Sequence, residues 1–116
     1  MQYLLLLYSN EKAWENLSEK DQEEGAAAYG AYTEALAQAG ALVGGNRLRP
    51  TDTATRVSVA DGKPQVLDGP YADSKEQLGG YYLIEAADLD AAIAWAARCP
   101  GAYHGIIEVR PIWPMD

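Results

Sequence analysis

The first apolar run of the chain, "QYLLLLY", is short and unbroken, and the polar pair Ser9-Asn10 closes it. A continuous apolar run of this length, bounded by turn-forming residues, predicts a strand buried on both faces rather than a helix. Beyond it the period changes. Behind Ser18, the residues Tyr29, Tyr32, Leu36 and Ala39 recur at spacings of three and four, the inward stripe of an amphipathic helix. Ser18 is the expected cap, with Asp21 reaching back in a weaker form of the capping box. Gly40 is the expected stop. Gly25 and Gly30 each weaken such a helix by about 1 kcal/mol relative to Ala, and their small size admits close packing there.

The pattern then turns to strands. "ALVGGNRL" reads as a second strand interrupted by glycines, and "TATRVSVA" alternates strictly. Thr55, Val57 and Val59 point one way and Arg56 and Ser58 the other, as in a half-exposed strand. Asp61-Gly62 makes a tight turn into "PQVL", a hairpin signal. "YYLIEA" is a further strand. In "DLDAAIAWAARC" a second helix is expected, with Asp88 as cap and Leu89, Ala92, Ile93 and Ala96 as its buried stripe. Arg98 suits its negative end, Pro100-Gly101 stop it, and "GIIEVRPI" closes the chain as a strand.

The resulting order, β-α-β-(β-hairpin)-β-α-β, is an α+β fold of ferredoxin-like connectivity, spread over one domain, residues 1–116. Two helices cover only one face of such a sheet. The first strand is nevertheless apolar at both parities, Tyr3, Leu5 and Leu7 against Leu4, Leu6 and Tyr8. The second face also needs cover, and a partner sheet is the simplest one, so a homodimer is expected.

Composition narrows the function classes. A net charge of −8, with Glu11, Glu15, Glu19, Asp21, Glu23 and Glu24 near the front, repels phosphate backbones and argues against a nucleic-acid partner. The opening apolar run is too short to span a bilayer and has no basic leader, so a soluble, cytoplasmic protein without membrane attachment is expected. A single cysteine, Cys99, excludes an internal disulfide and a multi-cysteine zinc site. No nucleophile elbow, Walker loop, dinucleotide fingerprint or metal-ligand spacing is present; neither a metal nor a cofactor is expected.

The segment with most chemistry is "DGPYADSKEQLGG", Asp68 to Gly80. An Asx turn at Asp68 would bond the N–H two positions on, but that residue is Pro70, which has none. The carboxylate therefore either takes the N–H of Tyr71 or Ala72 and locks the turn, or faces a cleft. Pro70 biases Gly69 toward an extended backbone. Asp73 and Glu76 resemble the two ends of a one-turn capping box, which leaves Lys75 as a solvated lysine or a cleft-facing cation. Gly79-Gly80 suits a tight turn before the next strand.

Outside this segment, His104 is the one side chain whose unperturbed titration falls near neutrality; it is either an idle loop residue or a proton carrier. Glu108 and Arg110 share a face of the last strand, as an ion pair or as pocket lining. Arg47, Arg49 and Arg56 form the one basic concentration, either drawing an anion or balancing nearby acids. Tyr3, Tyr8, Tyr81 and Tyr82 are read mainly as core, with hydroxyls that a pocket could use.

Across "DGPYADSKEQLGGYYLIEAADLDAAIAWAARCPGAYHGIIEVRP" the chain resembles the DGPF-domain branch of the YCII-related (YciI-like) family, with Tyr71 where the family name has Phe. The resemblance extends to the opening strand and to "AGALVGGNRL". It implies a ferredoxin-like subunit pairing into a dimeric α+β barrel, with a cleft between helices and sheet. It also implies a small bacterial protein, often linked to extracytoplasmic-function sigma factors. In the shorter YciI-type branch an active-site pair of a helix-one histidine and an aspartate is implied, and one relative resembles a dehydrochlorinating enzyme acting on a chlorinated hydroquinone. The first helix here, "DQEEGAAAYGAYTEALAQAG", has no histidine, so neither that pair nor that reaction carries over.

Two function classes follow. One is a cofactor-independent enzyme working by acid-base chemistry on a small anionic or aromatic metabolite. Asp68 and His104 would be the proton carriers, and Lys75, Arg110, Tyr71 and Glu108 the substrate contacts. The other is a non-catalytic ligand-binding or regulatory protein, acting beside a sigma factor. The elaborate charged turn favours the first.

Overall fold

The apolar opening run forms strand β1, Gln2–Ser9, and strands pair with it on both sides. On one side lies β5, Gln77–Glu85, and on the other β6, Ile106–Pro111, both antiparallel. Strand β2, Leu42–Arg47, adds to the far edge of β5, giving the order β2-β5-β1-β6. That is the ferredoxin-like arrangement, each helical crossover skipping one antiparallel strand. The computed structural model describes residues 1–72 and 74–115.

The helices lie on one face. A short helix α1, Glu11–Glu15, follows β1 and leads to the long α2, Glu19–Gln38; α3, Leu89–Arg98, connects β5 to β6. Ser18 caps α2 through a bond from the Asp21 backbone N–H at 3.1 Å, and Asp88 caps α3 through one from Ala91 at 2.9 Å. Gly40 ends α2 with φ +70°. Between these helices and the sheet sit Tyr3, Leu5, Tyr32, Leu36, Ile84, Ala92, Ala96 and Cys99, all buried. Alternation along β1 sends Tyr3 and Leu5 to this side and Leu4, Leu6 and Tyr8 to the other, where they are only half-buried.

Most of the expected stripes face inward, Tyr29, Tyr32 and Leu36 on α2 and Ala92 and Ala96 on α3. Ala39 is exposed, and Gln22 and Gly25 extend the α2 stripe toward its N-terminus. On α3 the small residues Ala92 and Ala96 face inward with Trp95 and Cys99, while Leu89 and Ile93 are about half exposed. Tyr32 links the two helices: its ring packs edge-on against Trp95 at 6.2 Å and its hydroxyl donates to the Trp95 carbonyl at 2.7 Å.

Strands β3, Thr55–Ala60, and β4, Lys63–Asp68, form a separate two-stranded ribbon. Its turn is Asp61-Gly62, both with positive φ (52° and 75°), the geometry that matches strand twist in a two-residue hairpin. Glycines 79 and 80 lie inside β5 rather than in the turn ahead of it. The register with β1 shifts between Leu7, opposite Gly80, and Tyr8, opposite Leu78, a bulge that takes up Gly79. Among the described residues, no helix is long and apolar enough to cross a membrane.

Candidate functional site

At the end of the sheet where β1 finishes and β5 begins, three segments distant in sequence enclose a polar cleft of about 450 Å³. Asn10, Glu11, Lys12 and Glu15 come from α1 and its N-cap. Pro50, Thr51 and Asp52 come from the 3₁₀ turn that precedes the ribbon, and Ser74, Lys75 and Gln77 from the loop that follows it. Local physics builds each wall. The Asn10 side chain accepts from the N–H groups of Lys12 and Ala13, at 3.0 and 3.3 Å, and starts α1; this is the standard use of Asn as an N-cap. Gln77 accepts from the Glu11 N–H at 3.0 Å and donates to the Ser74 carbonyl at 2.7 Å, which ties α1 to the loop.

Glu11 is the post of the cleft. One carboxylate oxygen accepts from the Thr51 N–H at 2.7 Å and the other from the Thr51 hydroxyl at 2.8 Å. Charge-assisted bonds of this length are the strong kind, and they pin the β2–β3 connection to the helix. Behind the post, Trp14 lies under the Arg47 guanidinium, 5.2 Å from ring centre, and accepts at its carbonyl from Gln22. Gly25 leaves the ring its room: a Cβ there would stand 2.7 Å from Trp14.

Around this post the cleft presents both signs of charge. Lys12 and Lys75 supply ammonium groups, and Glu15 and Asp52 carboxylates that make no hydrogen bond to another described residue. Such a set can bind a small polar molecule, accept a proton from it, and balance the negative charge that results.

Of the residues singled out from sequence, Lys75 lines this cleft. Asp68 ends β4 in the ribbon, opposite Thr55, with its side chain exposed. Its carboxylate takes neither the Tyr71 nor the Ala72 N–H among the described hydrogen bonds. Gly69 adopts φ +98°, open to glycine alone, rather than the ordinary extended form, and its N–H bonds the Ala54 carbonyl at 2.7 Å. Tyr71 is 91% exposed. Asp73 lies outside the described residues; residues 74–76 are non-helical, with the Ser74 hydroxyl donating to the Glu76 carbonyl.

His104 sits exposed at the end of the 3₁₀ turn Pro100–Tyr103. Glu108 and Arg110 are exposed on the helix-free face of the sheet, opposite Leu6 and Leu4; among the described residues they form no ion pair with each other. Arg47 is engaged with Trp14, Arg49 is exposed, and Arg56 belongs to the ribbon, so the three arginines do not act as one basic patch.

The tyrosine hydroxyls serve the interior. Thr33 and Tyr82 share a hydrogen bond of 2.7 Å between helix and sheet, beside the Tyr32 hydroxyl bond to α3. Burial pushes Tyr29, Tyr32 and Tyr82 above the ordinary phenol value, and burial raises the Cys99 thiol as well. These groups stay protonated at neutral pH and hold layers together.

Comparison with known proteins agrees with this architecture. A solved 5-chloro-2-hydroxyhydroquinone dehydrochlorinase from Burkholderia phenoliruptrix AC1100, in complex with 2,5-dihydroxybenzoquinone, superposes with a TM-score of 0.56. The match covers 100% of this chain and 96% of that one at 16% identity, a likeness of fold. An uncharacterized protein of Rhizobium meliloti (strain 1021) is 36% identical over 114 residues, which are 97% of this chain and 92% of the other. The YCII-related domain matches residues 1–116 without a gap at either end; the chain belongs to the YCII-related family.

Proposed function

We propose that this protein binds a small hydroxylated or anionic metabolite in the polar cleft and performs cofactor-independent acid-base chemistry on it. The observation that carries the reading is the meeting of Lys12, Lys75, Glu15 and Asp52 around a cleft held by Glu11 and Thr51. A carboxylate of Glu15 or Asp52 takes a proton from the substrate, and the ammonium groups of Lys75 and Lys12 hold the anion that forms. The quinone bound by the structural neighbour is a molecule of suitable size and acidity, which supports the substrate class. Neither Asp68 nor His104 lines this cleft, so in this reading the proton carriers are taken from its own carboxylates.

The protein acts as a homodimer in this reading, with the helix-free sheet face as the basis of contact. Leu4, Leu6, Leu78, Tyr81 and Leu83 leave that face largely apolar, and Glu108 and Arg110 add balancing charges. Calorimetric titration with 2,5-dihydroxybenzoquinone tests the cleft. Lys75→Ala is expected to weaken binding at least tenfold, whereas Glu15→Gln and Asp52→Asn leave binding nearly intact and one of them abolishes turnover. Binding with no turnover in the wild type would favour the ligand-binding alternative; binding unaffected by Lys75→Ala would remove the cleft from consideration.

A further inference from the structure

The ribbon β3–β4 is stable by itself only marginally, as two-stranded hairpins in water generally are, and among the described residues no further strand pairs with it. At its base the ladder runs one rung further, with the Gly69 N–H bonded to the Ala54 carbonyl. The register pairs Val57 with Val66 and Val59 with Pro64, which puts three valines and a proline on one face. Val57 is 67%, Val59 68% and Val66 60% exposed. An apolar strand face left open in this way is a docking or aggregation surface unless a partner takes it.

The dimensions indicate how much cover is needed. The chain spans 48 × 47 × 19 Å with a radius of gyration of 16.2 Å, whereas a compact chain of this length has about 13 Å. Its accessible surface is 8363 Å², against about 6,200 Å² for a compact monomer of its mass. The surplus of about 2,200 Å² is what one subunit of a large obligate interface buries. The open sheet face, four strands about 4.8 Å apart and about seven residues long, has a footprint of only roughly 450 Å². Even doubled for side-chain relief, that face accounts for less than half of the surplus, and the ribbon, exposed along nearly its whole length, contributes to the remainder.

Charge leaves a second copy acceptable as the occupant. Two chains of net charge −8 repel each other over most of their surfaces. Within residues 55–68, however, Arg56 and Lys63 balance Asp61 and Asp68, and the ribbon is neutral. We infer that the ribbon is a clasping arm whose Val57–Val59–Val66 face packs on a second copy of this chain, extending a subunit contact that the sheet face begins. Asp68 lies on that same face, so the arm carries the exposed carboxylate to the subunit boundary. This inference rests on the homodimer reading above.

Sedimentation equilibrium at micromolar concentration tests both and separates them. The wild-type chain is expected at twice 12.5 kDa, and the double variant Val57→Lys, Val59→Lys at one chain mass, its dissociation constant raised at least 100-fold. Circular dichroism of the variant should match the wild type, because neither valine is part of the core. A monomeric wild type would overturn the dimer and the arm together. A dimeric wild type with an equally tight variant would leave the dimer standing and overturn the arm. Amide exchange provides a readout without substitution: residues 55–68 should be protected at high concentration and exposed on dilution. Exchange in that segment independent of concentration would overturn the arm.

Discussion

Removing the Glu11 carboxylate measures how firmly the cleft is built. Glu11→Ala deletes both acceptors of Thr51, at 2.7 and 2.8 Å. Hydrogen bonds to a charged group contribute about 1.5–3 kcal/mol each. Here one carboxylate serves both and the site is half exposed, so the lower end applies to the pair and the expected loss is about 2 kcal/mol. Thr51→Val removes only the hydroxyl bond and should cost about 1 kcal/mol. In the double variant the hydroxyl has no partner left to lose, so the two costs should fall short of additivity by about 1 kcal/mol. The assay is urea unfolding at one fixed protein concentration, since a subunit contact makes stability concentration-dependent. The slope should not change between variants. A Glu11→Ala loss below about 0.5 kcal/mol, or strictly additive costs, would show that the post does not hold the cleft.

Two further substitutions separate glycines that look alike in sequence. Gly30 has nothing within 4 Å of where a Cβ would stand, so Gly30→Ala should stabilise the chain by about 1 kcal/mol; the Gly25 Cβ would meet Trp14 at 2.7 Å, so Gly25→Ala should lose that gain and up to about 2 kcal/mol more. Equal effects in thermal unfolding would contradict the Trp14 packing. Alkaline pH should also destabilise the fold. Tyr29, Tyr32 and Tyr82 have folded pKa values raised above 10 by burial, so above pH 10 the unfolded chain releases protons that the folded chain keeps. Their stabilisation is complete below about pH 10 and fades as pH rises toward the folded values. Urea midpoints that stay level from about pH 8 to about pH 11 would refute the burial of these phenols.

The strand order was legible because β1 is apolar at both parities and β3–β4 alternates around an Asp-Gly turn, and both signals are local. The caps at Ser18 and Asp88 were legible for the same reason. Helix α1 was not: five residues, "EKAWE", are too few for a period to emerge, although Asn10 ahead of Glu11 is a capping signal in hindsight. The inward stripes of α2 and α3 were legible in their greater part, Tyr29, Tyr32, Leu36, Ala92 and Ala96 facing the core as their spacing implies, while Ala39, Leu89 and Ile93 read as core and are exposed or about half exposed.

The cleft was the least legible part. Its central contact joins Glu11 to Thr51 across forty positions, and nothing local to either residue announces the other. Lys75 was recognised from its place in the charged turn, yet the same turn drew attention to Asp68, which the ribbon carries outward. Its exposure follows from its place in β4, every residue of which is exposed, and the lack of a layer over that strand is not a local property of the sequence.

The account stands most directly on where a ligand sits. Titrating the ¹⁵N-labelled chain with 2,5-dihydroxybenzoquinone and following its amide resonances locates that place without relying on any substitution. The expected shifts fall on residues 10–15, 50–52 and 74–77, with His104 and the tip of the ribbon unmoved. Shifts centred on His104 or Asp68, or none at millimolar ligand, would contradict the assignment of the cleft.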